Sequence, residues 1–329
     1  MIHTPISAVL MKKEKQVTTT ENKERKHLPK WANLTLTIGI CLSCCGLGVG
    51  VGLILNHFLS FESVDYSGLD INDYEDDVTK LISKYNKTDS NKYLTTFAPH
   101  ELACIARYKA AQHQNVKYIG IGQVNAAMGI KQSVRGYYLK HGNDYFFESI
   151  SKSKLVGINK RFYQGADKVT IYYGSGSDPE KANWDENDRQ DFTIEDFTDI
   201  WGKDLSRASA FIISSKTIIA DESSATKDGN EIFLSLELDP LTSVLRYVKQ
   251  MKAMSDLDDY PTFHKMHIDM KLDEDLNLLW NKTYETYDVK SFGVTSKNTT
   301  GGMDETFYYD VTEEIPDLQT DCIYTKGAH

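Results

Sequence analysis

Residues 228–251 read DGNEIFLSLELDPLTSVLRYVKQM, and this stretch decides how the rest of the chain is read. Ile232, Leu234, Leu236 and Leu238 alternate with Glu231, Phe233, Ser235 and Glu237. That period of two describes a strand with one face buried. Asp239-Pro240 then supplies an N-cap and a first-turn proline. Leu241, Val244, Leu245, Val248 and Met251 recur at helical spacing behind it, so a helix should fold back over the apolar face of the strand. A second alternation follows in TFHKMHIDMKLDEDLNLLWNKTYETY (262–287). Met266, Ile268, Met270 and Leu272 share one face, and Asp273-Glu274-Asp275 turns the chain back as a long hairpin.

Working outward, five strand-like runs occupy residues 116–124, 130–140, 143–150, 158–164 and 167–173, joined by turn residues such as His141-Gly142-Asn143. Short connections between consecutive strands mean antiparallel pairing. Two helices precede them. One starts near Asp70 and carries Tyr74, Val78, Leu81, Ile82 and Tyr85 on one face, either packed on the domain or standing as a stalk. The other runs from Pro99 to about His113. Residues 174–191 read as a polar loop leading to a short helix, with Thr193 and Asp196 in a capping pattern. Residues 211–220 read as a strand, and GMDETFYYDV (302–311) as the last one. The order of elements describes one α+β domain.

The N-terminal end has a different character. Between Lys30 and Glu62 no Lys, Arg, Asp or Glu occurs, and residues 32–55 form a mostly apolar run. A 24-residue helix would be about 36 Å long, enough for a hydrocarbon core of about 30 Å. Residues 1–60 hold seven Lys/Arg and three Glu, all before this run, and residues 61–329 carry a net charge of −14. The positive-inside rule therefore expects a cytoplasmic N-terminus and an extracytoplasmic remainder in a single-pass cell-membrane protein. A cleaved signal peptide is the competing reading, and the run is long for one. The expected organisation is a basic tail at 1–30, an anchor at 31–59, an acidic segment with a helix at 60–96, and the folded domain at 97–329. Gly46, Gly48, Gly50 and Gly52 have the small-xxx-small spacing that lets membrane helices approach closely. Whether translation starts at Met1 or at Met11, ahead of Lys12-Lys13-Glu14-Lys15, is open. An acidic exterior without clustered Lys/Arg excludes a nucleic-acid partner.

YYLKHGNDYFFESIS (137–151), together with the stretches at 228–251 and 262–287, resembles the lipoprotein-carrier-like superfamily. That group includes the periplasmic carrier of outer-membrane lipoproteins and the mycobacterial lipid-binding lipoproteins. The resemblance covers roughly residues 116–311 through pattern and element order. It implies a curved, half-barrel-like antiparallel sheet with helices on its concave face and an apolar cavity between them. The ligand would be a lipid or another apolar molecule. Met251, Met266, Ile268, Met270 and Trp280 are the candidate lining, with a packed core as the alternative. A membrane anchor departs from the freely diffusing carriers. The competing function is an envelope interaction or sensing protein with a filled core and a protein partner, and an enzyme comes third.

Chemistry-bearing motifs fail on inspection. His100-Glu101-Leu102-Ala103-Cys104 lacks the second histidine that a zinc site needs one turn on. Ser151-Lys152-Ser153-Lys154 has an S-x-x-K spacing but lies at a strand end, where a lysine is not one helical turn from the serine. Asp273, Asp275 and Asn277 begin like a calcium loop, yet Leu278 and Tyr284 occupy its glycine and glutamate positions. No catalytic residues, metal ligands or cofactors are therefore expected. Cys104 and Cys322 are candidates for a disulfide in an oxidising compartment, provided their Cα atoms come within about 7 Å.

Overall fold

The computed structural model describes residues 61, 63–75, 78–126, 130–153, 157–175, 181–207, 209–291 and 294–316. The anchor at 32–55, its glycines Gly46, Gly48, Gly50 and Gly52, and Cys322 lie outside the described residues. Among the described residues no helix is long and apolar enough to cross a membrane. Cys104 is buried in the core.

Three helices come first: α1 (Thr79–Tyr85), α2 (Tyr93–Thr96) and α3 (Pro99–Gln112). Five strands follow without interruption: β1 (Asn115–Ala126), β2 (Ile130–His141), β3 (Asp144–Lys152), β4 (Gly157–Gln164) and β5 (Lys168–Ser175). Then come β6 (Asn183–Thr193), α4 (Ile194–Trp201), β7 (Ser224–Asp228), β8 (Glu231–Leu238) and α5 (Tyr247–Ser255). The chain closes with β9 (Thr262–Asp273), β10 (Leu278–Ser291), β11 (Val294–Gly301) and β12 (Met303–Tyr309). The strands form one antiparallel sheet in the order β6-β5-β4-β3-β2-β1-β11-β10-β9-β8-β7, with β12 also between β1 and β10. β11 and β12 are in effect one strand broken at Gly302. A Cβ there would sit 2.3 Å from the Thr283 carbonyl oxygen, so the close approach of β10 requires glycine.

The predicted helix starts hold in their chemistry. Pro99 opens α3, and the Glu101 side chain reaches back to accept from the Ala98 N–H at 2.9 Å. Thr193 Oγ1 accepts from the Asp196 N–H at 3.0 Å and starts α4. Asp239 does accept from the Thr242 N–H at 2.9 Å, but the chain continues as turns, and α5 begins only at Tyr247. Asp70 caps a single 3-10 turn rather than a long helix, and α1 starts nine residues later. Its apolar face packs: Leu81, flanked by Val78, Ile82 and Tyr85, joins the same buried cluster as Tyr93, Phe97, Leu102, Ile105, Leu234, Leu236 and Ile268.

Two further sequence expectations are corrected. The end of the polar stretch, read as loop, is strand β6, which pairs with β5 from Lys168↔Thr193 to Ser175↔Asn183. It is an edge strand, and NWDENDRQDFT lacks the apolar alternation that a half-buried strand shows. Conversely, residues 211–220 form a loop whose single bridge is Ile219↔Leu238. Its backbone is turned by local bonds instead, the Ser214 N–H donating to Thr217 Oγ1 at 2.7 Å.

The helices cover one face of the sheet, here called the inner face. The opposite face is also closed around β1 to β3, where Tyr137, Leu139, Phe146 and Ile150 pack against Val311 and Ile315 of the segment after β12. Beside them Arg161 and Glu148 form a fully buried ion pair at 2.9 Å, with the guanidinium 4.0 Å above the Trp184 ring.

Candidate binding site

Strand register builds the site. Phe307 pairs with Tyr118, Tyr118 with Tyr138, Tyr138 with Phe147, and Phe147 with Phe162. Five adjacent strands, β12, β1, β2, β3 and β4, thus place an unbroken row of aromatic rings on the inner face. Their centroids are 5.3 Å apart for Phe307 and Tyr118, 4.7 Å for Tyr118 and Tyr138, and 5.7 Å for Phe147 and Phe162. Helix α4 lays Phe197 and Trp201 over the end of this row, stacked on each other at 5.4 Å, with Trp201 edge-on to Phe162 at 5.1 Å.

The rings do not fill the space they enclose. A cavity of about 40 Å³ remains between the row, α4 and α5, lined also by Leu205, Gln250 and Met254. Its one charged lining group is Lys203, which is 8% exposed and donates to the Arg207 carbonyl. Burial pushes the Lys203 ammonium down to about 8, against the opposing pull of Asp204 and Glu305. Gly202 sends it inward. As the C-cap of α4 it is left-handed, with φ of 76°, and a Cβ would meet the Arg246 carbonyl oxygen at 2.3 Å. The lid is fastened by polar bonds. Tyr138 Oη donates to the Leu205 carbonyl at 3.0 Å, the Leu205 N–H donates to Gln164 at 2.7 Å, and Lys160 donates to the Met254 carbonyl at the end of α5 at 2.7 Å.

Next to the aromatic row the inner face turns polar. Asn281, Thr283 and Glu285 point inward from β10, and Glu305 from β12 beside Asn281. Thr283 Oγ1 accepts from the Met303 N–H at 3.0 Å, and Tyr247 Oη of α5 donates to Glu285 Oε1 at 3.0 Å. Burial raises the Glu285 carboxyl to about 7. Glu305 is raised as well, chiefly by burial, while Asn281, Arg107 and Lys203 draw it back. Arg107 reaches in from α3 and donates to the Phe211 carbonyl at 3.1 Å. The charges of Arg107 and Lys203 thus act on Glu305, whereas Glu285 is governed by burial and its bond from Tyr247.

A second concavity, about 940 Å³ and open on one side, lies between residues 63–71 and Arg246, Lys249 and Lys252 on α5. The segment forming its wall is strapped to the domain. Tyr66 Oη donates to the Pro261 carbonyl at 2.9 Å, Lys216 donates to the Asn72 and Glu75 carbonyls, and Glu75 pairs with Arg246 and with Arg207.

Met266, Ile268 and Met270 lie on the inner face of β9 and are at most 1% exposed, packed with Leu234, Leu236 and α3. Met251 is half-buried against the same cluster. None of the four lines the aromatic cavity. Trp280 sits on the opposite face, paired with Lys271, and its Nε1 donates to Asp304 at 2.5 Å. A register shift between Leu278 and Trp280 causes this. It interrupts the alternation, so Asn281 rather than Trp280 turns inward. The residues that do line the cavity carried one signal in sequence, aromatics at alternate strand positions. Lys203 carried none. Among the described residues no group of His, Cys, Asp and Glu could hold a metal ion.

No family model matches the chain, and no curated protein matches it. Among solved structures, a LolA superfamily protein from Nitrosomonas europaea aligns over 67% of this chain and 97% of its own, at 10% identity and a TM-score of 0.24. The dehydratase domain from the CurJ module of curacin polyketide synthase aligns over 58% and 76%, at 9% identity and a TM-score of 0.11. An N-terminal dehydratase from the difficidin assembly line aligns over 65% and 83%, at 11% identity and a TM-score of 0.13.

Proposed function

We propose that the protein is a membrane-tethered, extracytoplasmic binding domain for an apolar or amphiphilic ligand, held between the inner face of the sheet and the α4–α5 lid. The observation that carries this reading is the aromatic row, which encloses unfilled space under a lid fastened mainly by hydrogen bonds at its edges. The space is about 40 Å³, room for one or two waters, a size that packed interiors also contain, so its aromatic lining and hydrogen-bonded lid are what favour a ligand. The cavity as it stands accommodates only a small group, so a longer chain enters as α4 and α5 move off the row. The lipid-carrier resemblance of the sequence agrees with such a ligand. The tether is residues 32–55, with the basic N-terminus in the cytoplasm, on the strength of their composition.

The test is native mass spectrometry of the full chain extracted in mild detergent, with uptake of a fluorescent fatty acid as the second readout. Bound lipid, and uptake that falls when Leu205→Phe fills the cavity, are expected. An empty protein that takes up no probe refutes the reading. A second reading is favoured by the β8–β10 half of the sheet, where Ile232, Leu234, Leu236, Met266, Ile268 and Met270 leave the inner face filled. It makes the domain an interaction or sensing module, and in-cell cross-linking would then recover a protein partner in place of lipid.

A further inference from the structure

Two acceptors in the polar part of the inner face have no donor. Asn281 Oδ1 and Glu285 Oε2 are both buried and both unpartnered, in side chains 3% and 7% exposed. Buried acceptors are ordinarily satisfied, so two on one inward strand face need a reason. No neighbouring donor reaches them. The other Glu285 oxygen accepts from Tyr247, the Thr283 hydroxyl accepts from Met303, and the Asn281 amide is engaged with Glu305. Part of this polar seam meets solvent. Arg107, Tyr247 and Glu305 keep accessible surface although they lie between the helices and the sheet. Lys203 lines the aromatic cavity together with Tyr118, and the charge of Glu305 acts on both.

The charges select the class of group that fits. A cation would face Arg107 and Lys203. An anion would face Glu305, Glu285 and two bare acceptors. A neutral donor meets no such opposition, and a hydroxyl can also accept, which suits Glu285 whether its carboxyl is ionised or protonated.

We propose that the ligand is an amphiphile with a neutral, hydroxyl-bearing head, whose hydroxyls hydrogen-bond Asn281 Oδ1 and Glu285 Oε2 while its apolar part lies along Tyr118, Tyr138 and Phe162. This rests on the amphiphile-binding reading above and deepens it. Rejecting an analogue that lacks the hydroxyls is the expected behaviour of such a site, because its buried polar groups are then left unpaired.

The experiment measures affinities of the detergent-extracted full chain for two probes of equal chain length, monododecanoylglycerol and dodecanoate, by displacement of a fluorescent fatty acid. The glycerol ester should bind at least tenfold more tightly. In Glu285→Leu that preference should fall to about twofold, with dodecanoate affinity kept. Equal binding of the two probes by the unaltered protein, which needs no variant to fold, overturns the inference and leaves the amphiphile reading standing; water alone then satisfies the two acceptors. Binding of neither probe overturns both.

Discussion

Replacing Glu285 with glutamine should reshape the pH dependence of stability in a calculable way. The carboxyl is buried beside Tyr247, Met266 and Gly301, and burial lifts it from an ordinary 4.5 to about 7. Between those values the folded protein holds a proton that the unfolded chain has released. Stability therefore falls as pH rises through this window. The contribution is fully present below about 4.5 and is lost once pH passes about 7. A difference of about 2.5 units at 1.36 kcal/mol each gives about 3 kcal/mol. Glutamine keeps the acceptor for Tyr247 Oη and cannot ionise, so it removes this slope and little else. The assay is urea denaturation of the full chain in nonionic detergent at intervals from pH 4.5 to 8, for the native protein and Glu285→Gln. Subtracting the two curves cancels Glu305, whose carboxyl is also raised by burial, and every surface acid. The variant should gain about 3 kcal/mol on the native protein between pH 4.5 and pH 8. A difference that stays flat across this range would refute the claim that an uncompensated carboxyl is buried at this position.

Lys203 predicts the opposite slope at higher pH. Its ammonium is lowered from 10.5 to about 8, so the unfolded chain binds the extra proton in that window, and the native protein should gain about 3 kcal/mol on Lys203→Met between pH 8 and 10.5. Phe162 is 1% exposed and touches both Phe197 and Trp201, so Phe162→Ala should cost about 3–5 kcal/mol and abolish probe uptake; a loss under about 1 kcal/mol would mean that α4 does not rest on the aromatic row. Glu75→Ala should release the strap at 63–75 from Arg246 and Arg207, raising its undocked population roughly fivefold, about 1 kcal/mol, read as faster proteolytic cleavage ahead of α1.

The fold was most legible where one face is apolar and the other is not. Ile232, Leu234, Leu236 and Leu238 alternate on β8, as do Met266, Ile268, Met270 and Leu272 on β9, and all eight are buried as that alternation requires. Strands β1 to β5 follow from the same signal. It was absent on edge strand β6 and misleading at 211–220, where apolar residues pack from a loop. It also failed at Trp280, because a single register shift moves the following residues to the other face.

By itself the sequence determined the α+β class, the antiparallel run of strands, the starts of α3 and α4 and the apolar character of residues 32–55, since each depends on residues close together in the chain. Only the tertiary structure decided where unfilled space lies. The aromatic row places Phe307 beside Tyr118, 189 positions earlier, because β12 returns between β1 and β10. Lys203 and the two unpartnered acceptors on β10 likewise acquire meaning only when α4 and the sheet are brought together. Alternation tells which side chains share a face; which strands become neighbours, and what covers them, is set by contacts across the whole chain.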